Sequence, residues 1–208
     1  MKRTVLFLLC AVLAFSALAF SSCGIADRVE NAVTYPAAYS LTYEITSAEG
    51  VISTVTKTVD ANGNVYLKTA ETEKLYLNDN GSYTLYEKDE NGSFVTSGEV
   101  RYTAEAVSDS TAEINEYTER SKDQFIPTAK KDGEGEVAGR ACVIYKLGIG
   151  GKNNSAYNYY YVDSETGICL RVEVRKTALG EAVENEDETF ICTEFITENI
   201  EDLSNKII

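Results

Sequence analysis

The sequence predicts a mostly antiparallel domain of the α+β class, two strand meanders separated by one helix. Three observations predict it. Apolar and polar residues alternate with period two through much of the chain, Asn-Gly pairs punctuate its first half, and one stretch without Gly or Pro changes to helical spacing. Composition agrees: fourteen tyrosines, seven phenylalanines and no tryptophan suit strands, where aromatic side chains pack across a pleated face.

The first residues are a targeting segment rather than a fold element. Lys2 and Arg3 form a basic start, Val5 to Phe20 is almost unbroken apolar sequence, and the small Ser21 and Ser22 precede Cys23. The apolar run is shorter than the roughly 20 residues that span a bilayer comfortably. Cys10 lies inside that run and reads as an apolar filler. A small-small-Cys junction after such a run resembles the lipobox of bacterial lipoproteins, with Phe20 where that pattern most often has Leu. The resemblance implies that residues 1–22 are a lipoprotein signal peptide and that Cys23 is lipidated. Residues 23–38 then form a lipidated tether, perched before a single domain at 39–208. Acyl chains contribute about 0.8 kcal/mol per buried methylene, so more than one holds a protein firmly. The expected location is extracytoplasmic, with the membrane as partner through the acyl chains on Cys23.

The elements follow in order. Leu41, Tyr43 and Ile45 alternate with Thr42, Glu44 and Thr46, the pattern of a half-buried strand. "VISTVTKTV" continues it, with Val51, Ser53, Val55, Lys57 and Val59 on one face. Asn-Gly turns at 60–64, 78–82 and 89–93 make residues 40–97 five or six antiparallel strands, because both turn residues tolerate positive φ. From Tyr102 to Ser121 the spacing of Val107, Ile114 and Tyr117 gives one apolar helical stripe, and Pro127 follows to end it. Residues 130–139 read as a loop or short hairpin, and "GRACVIYKL" opens the second meander. "GIGGKNN" (148–154) is a turn, since it lacks the first Gly and the Ser/Thr of a phosphate loop. Tyr159 to Val162 form a strand, and Asp163 to Gly167 a turn. Ile168, Leu170, Val172 and Val174 then share one face, Cys169, Arg171, Glu173 and Arg175 the other. In the last strand Ile191, Thr193 and Phe195 oppose Phe190, Cys192 and Glu194, and the acidic residues 184–188 before it are a solvated loop.

The chemistry available is narrow. A net charge of −14 argues against nucleic acid as a partner. Asp60, Asn62, Asn64 and Glu71 fall at calcium-loop positions, but Val65 stands where that loop needs Gly, so a hairpin turn is expected. There is no histidine, hence no Ser-His or Cys-His nucleophile, and no CxxC pair for zinc. No spacing singles out two of the 33 acidic residues as a catalytic pair. The expectation is a protein without catalysis, metal or cofactor. Cys169 and Cys192, on neighbouring strands, are the disulfide candidate. Pairing them sets Leu170 opposite Ile191 and leaves Cys142 over; three free thiols are the alternative.

The order of these features resembles the LolA/LolB-like lipoprotein carriers. Their turn and strand signals match Gly139, Tyr145, Leu147, Tyr160, Asp163, Thr166, Gly167 and Arg171, over about residues 39–197. The resemblance implies an unclosed (half) β-barrel with the helix of about residues 101–121 packed on its concave face, around an apolar cavity. This chain would differ in carrying its own anchor, which suits a fixed acceptor better than a shuttle. Two functions are therefore expected in competition. One is a membrane-anchored binder of a lipid or other hydrophobic ligand, through residues the motifs do not identify. The other is an envelope lipoprotein with a solid core that meets a protein partner. An open apolar cavity would favour the first and a filled face the second.

Overall fold

One sheet organises the molecule, in a computed structural model that describes residues 33–120, 129–150, 154–178, 181–183 and 188–207. The signal segment, Cys10, Cys23, most of the tether, Pro127 and most of the acidic 184–188 loop lie outside the described residues. The first meander is β1 (Tyr39–Thr46), β2 (Ile52–Val59), β3 (Val65–Lys68), β4 (Glu73–Asp79), β5 (Ser82–Lys88) and β6 (Phe94–Thr103). Helices α1 (Ala104–Ser110) and α2 (Ala112–Thr118) follow. The second meander is β7 (Lys130–Val137), β8 (Arg140–Gly150), β9 (Asn154–Asp163), β10 (Cys169–Ala178), β11 (Glu181–Val183) and β12 (Thr189–Ile196). A short 3-10 turn, Leu203–Lys206, is the last element among the described residues.

The strand order is β6-β5-β4-β3-β2-β1-β12-β10-β9-β8-β7, with β11 beside β10. Every ladder is antiparallel, and β1 against β12 joins the two meanders into one unclosed sheet with β6 and β7 at its edges. The tight turns obey their sequence signals. Asn80 and Gly81 both take positive φ (52° and 86°) between β4 and β5, and Ala138 and Gly139 (51° and 73°) do so between β7 and β8. The stretch expected as a loop or short hairpin at 130–139 is thus an eight-residue strand and its turn.

The expected helix of residues 101–121 is corrected to two short ones. β6 continues through Thr103, whose side chain accepts from the Ala106 N–H at 3.2 Å and starts α1. Thr111 separates α1 from α2, with its hydroxyl turned back to the Ser108 carbonyl. The apolar stripe survives the break: Val107, Ile114 and Tyr117 are all buried. α1 lies against β5 and β6, and α2 against β2 and β10. Since β6 and β7 are opposite edges, this segment carries the chain back across a face of the sheet. Val65, Tyr76 and Leu85 pack under Val107, while Leu41, Tyr43, Val55, Leu170, Val172 and Phe190 form the larger core with Ile114 and Tyr117.

Two bulges change which side chains face that core. The β9–β10 ladder pairs Cys169 with Val162 and then Arg171 with Tyr161, so Leu170 is an inserted residue. The β1–β12 ladder shifts between Thr42 and Tyr43, inserting Thr193. Cys169, expected on the charged face, is therefore fully buried, and Phe195, expected opposite Phe190 and Cys192, joins them inside. The register expected for a Cys169–Cys192 disulfide is corrected by one residue, because Arg171 rather than Leu170 stands across from Ile191.

Candidate functional site

The face beneath α2 is where a half-barrel would hold a hydrophobic ligand, and this chain's own rings occupy it. Tyr43 sits edge-on to Phe190 at 5.6 Å between ring centroids, and Tyr117 comes down from α2 to 5.1 Å from Phe190. Such tilted arrangements match the quadrupoles of the rings. The Tyr43 hydroxyl donates to the Cys169 carbonyl at 2.9 Å, and burial raises its pKa well above the usual tyrosine value. The bulge at Leu170 thus supplies a partner for the one polar atom of a fully buried ring.

A polar cluster borders these rings. Lys57, on the inward face of β2, is 9% exposed and donates to Asn115 Oδ1, midway along α2, at 2.8 Å and to Thr111 Oγ1, just before α2, at 3.4 Å. Its amine also lies 5.6 Å from the Tyr35 ring centroid. Burial pushes the amine down to about 8, against the opposing pull of Glu119. Tyr35 stacks on Tyr39 at 5.3 Å and its hydroxyl bonds Thr118 Oγ1 at 2.6 Å. Residues 33–38, expected as tether, are thus partly built into the domain: Val33 and Tyr35 pack on the core, and the Thr34 N–H donates to the Thr166 carbonyl at 2.8 Å.

Cys142, Cys169 and Cys192 are buried free thiols. Each donates to the backbone carbonyl two residues away along its strand: Cys192 to Glu194 at 3.1 Å, Cys142 to Arg140 at 3.5 Å and Cys169 to Arg171 at 3.6 Å for the last. Burial raises the Cys142 thiol to about 11 and the other two to about 12, so they are inert as nucleophiles near neutral pH.

Most of the carrier-like signals turn out to be turn and core positions, while Arg171 lies on the outward face of β10. Asp163, 1% exposed, accepts from Arg140 Nε and Nη2 at 3.0 Å each and from the Thr166 N–H and hydroxyl at 2.9 and 2.6 Å. Burial alone would raise its carboxyl, but Arg140 and Thr166 together hold it below the ordinary aspartate value. Gly167, at φ 72°, closes the turn, while Tyr145 and Tyr160 are buried. Arg140 was not singled out by the motif; its signal was its place directly after the Gly139 turn. The Asp60 loop is likewise a hairpin. Its carboxylate accepts from the Asn62 and Asn64 N–H groups, the Asn64 side chain and the Leu203 N–H, all at 2.8–2.9 Å, which fastens the C-terminal turn to β2–β3.

Grooves on the described residues open to the surface, and their linings mix polar and apolar side chains. One of about 280 Å³ lies between Glu44, Arg171, Glu173 and Phe190. Another of about 430 Å³ runs along the outer side of the helices past Asp109, Asn115 and Glu116. A third of about 580 Å³ is lined by Lys130, Lys131, Asp132, Lys146, Gly148 and Tyr157. No helix among the described residues is long and apolar enough to cross a membrane.

No protein-family model matches the chain, and no curated protein matches it. Among solved structures it is similar to the crystal structure of MucB, at 20% identity and a TM-score of 0.40, over 88% of this chain and 58% of that one. The complex of Pseudomonas aeruginosa MucA and MucB is 14% identical with a TM-score of 0.40, over 82% of this chain and 55% of that one. MucB bound to MucA(peri) is 18% identical with a TM-score of 0.34, over 81% and 50%. The chain thus spans between half and three-fifths of the length of these structures, and similarity at this level carries neither a family nor a partner over to it.

Proposed function

We propose that this chain is an extracytoplasmic lipoprotein, held to a membrane by acyl chains on Cys23, that acts without catalysis by meeting a protein partner. The observation that carries this reading is the Tyr43–Phe190–Tyr117 packing on the face where a hydrophobic ligand would sit. A filled face leaves the outer surfaces of the strands as the functional ones. The two sheet edges differ in kind. β7 is lined by Lys130, Lys131, Asp132, Glu134 and Glu136, which discourage strand addition, whereas β6 exposes Val95 and Val100.

Native mass spectrometry of residues 24–208 purified from a bacterial host tests the reading. A mass equal to the bare chain, unchanged after incubation with lipid vesicles, is the expected result. A co-purifying species of lipid mass that is released on denaturation would overturn the solid-core reading in favour of a lipid carrier.

A further inference from the structure

The ladder across β8, β9 and β10 places a basic, tyrosine-supported surface on a chain whose net charge is −14. Lys146, Tyr159 and Glu173 form one row across the three strands, and Tyr157, Tyr161, Arg171 and Arg175 flank it on the same face. The alternate positions, Tyr145, Tyr160 and Val172, belong to the core, so the basic row is on the other side of the sheet. Each cation lies over a ring. Lys146 is 4.4 Å from the centroid of Tyr157 and 5.3 Å from that of Tyr159, Arg175 is 4.5 Å from Tyr159, and Arg171 is 5.1 Å from Tyr161. Gly148 completes the support: a Cβ there would stand 3.1 Å from Tyr157 Cε1, so the ring rests on bare backbone. The cations are therefore held in place by aromatic faces, and they roof Tyr159 until it is only 9% exposed.

Glu173 stands between the two arginines, and it uses them incompletely. It accepts from Arg175 through Nε, at 2.8 Å, and lies 3.3 Å from Arg171 Nη2. The Nη pair of Arg175, a side chain 57% exposed, is left for a second acceptor. The two guanidinium groups converge on this one carboxylate, Arg175 at Oε1 and Arg171 at Oε2, so an acceptor from outside meets them on either side of Glu173. An extended chain with separated carboxylates can reach these donors, and Lys146 across Tyr159, without setting a charge over Glu173. A polymer with uninterrupted charge would meet Glu173 between them. The groove of about 580 Å³ continues the surface past Lys146 with Lys130 and Lys131 against Asp132.

We propose that this Lys146–Tyr159–Arg175 face is the docking surface for an extended acidic segment of a protein partner, whose spaced carboxylates are taken by Arg171 and Arg175. The inference deepens the interaction reading above and rests on it. Planar guanidinium forks select carboxylates by geometry, and the opposite charge of the surroundings sharpens that selection.

The test is an anisotropy titration of the full chain in neutral detergent with a labelled peptide carrying glutamates separated by serines and threonines. Binding is expected, weakening with added salt and absent for the same peptide with glutamine in place of glutamate. Arg171→Gln with Arg175→Gln should weaken it at least about tenfold, the equivalent of about 1.4 kcal/mol. Arg175→Lys, which keeps the charge but loses the fork, should fall between. If the double variant unfolds, Lys146→Gln with Lys131→Gln reads the same loss. No binding, or binding that these variants leave unchanged, overturns the proposal. Tighter binding of inorganic polyphosphate or of phosphatidylglycerol vesicles than of the peptide also overturns it, since the face would then serve a polyanion or a membrane. Co-purified lipid would remove the solid-core reading whatever the peptide does, whereas a bare chain mass without peptide binding removes this face alone.

Discussion

Lys57→Met should stabilise the protein at neutral pH, and by an amount that disappears in alkali. The amine lies under α2 with a pKa lowered to about 8 from 10.5, chiefly by burial. A shift of that size corresponds to about 3 kcal/mol against the charged form, at 1.36 kcal/mol per unit. The sign follows from the protons bound. Between pH 8 and 10.5 the unfolded chain holds a proton that the folded chain has released, so stability from this residue rises with pH there. Below pH 8 both states are charged and the full penalty applies. Methionine fills a similar volume without that penalty, but gives up the 2.8 Å bond to Asn115 and the longer contact with Thr111, together about 1 kcal/mol. The net gain at pH 7 should be on the order of 2 kcal/mol. Urea unfolding of both proteins at pH 7, 8, 9 and 10 measures it. The tyrosines and thiols titrate alike in the two chains and cancel in the difference. A variant that is less stable than wild type at pH 7, or a difference that stays constant to pH 10, would refute the reasoning and make Lys57 a net stabilising contact.

The three buried thiols should make the fold sensitive to alkali. Their folded values lie above the ordinary 9, so their contribution is complete below pH 9 and is lost as pH rises through about 11 and 12. Each adds a slope of about 1.4 kcal/mol per pH unit above 9, and unfolding midpoints of a Cys142→Ala, Cys169→Ala, Cys192→Ala variant should fall less steeply there. Asp163→Ala strips Arg140 and Thr166 of their shared acceptor and should cost about 3–5 kcal/mol in urea unfolding. Asp163→Asn keeps part of the network and should cost less. Asp60→Ala removes the acceptor of the Leu203 N–H, so hydrogen exchange at Leu203 should accelerate sharply while Tyr43 and Val172 amides in the central strands keep their protection.

The strands were legible because each has one buried face and a turn chemistry that fixes its ends. Leu41, Tyr43 and Ile45 alternate cleanly, and the Asn80-Gly81 pair admits only a tight reversal. What could not be read is what depends on partners distant in sequence. The bulges at Leu170 and Thr193 exist because β10 and β12 must fit neighbours on both sides, and neither insertion leaves a Gly or Pro to announce itself. A one-residue slip of that kind inverts every side chain beyond it, which is why Cys169 and Phe195 lie inside and the expected register at Ile191 is off by one. The helix was placed well by Val107, Ile114 and Tyr117, but nothing in their spacing marks the break at Thr111, whose hydroxyl turns back to the Ser108 carbonyl. Lys57 itself was visible on the same face as Val55; its partners on α2 were not. The cation-bearing face was legible only in part, as Arg171, Glu173 and Arg175 on one side of their strand, and needed the ladder register to bring Lys146, Tyr157 and Tyr159 beside them.

The two faces of the sheet have opposite chemistry, and that opposition supports a division of roles. Beneath α2 the buried surface is not purely apolar: Lys57, Thr111, Asn115, Tyr35 and Thr118 bond one another there. An acyl chain laid in their place would meet an ammonium group and several hydroxyls whose partners leave with the helix, and unpaired buried polar groups are costly. The same bonds that seal this face tie α2 and the Tyr35 segment to β2. The other face bears its charges outward, and its arginines are steadied by rings rather than consumed by carboxylates, with Glu173 shared between two of them. A sheet covered on one side by its own helices and set with exposed hydrogen-bond donors on the other supports the proposal that recognition takes place from the outside.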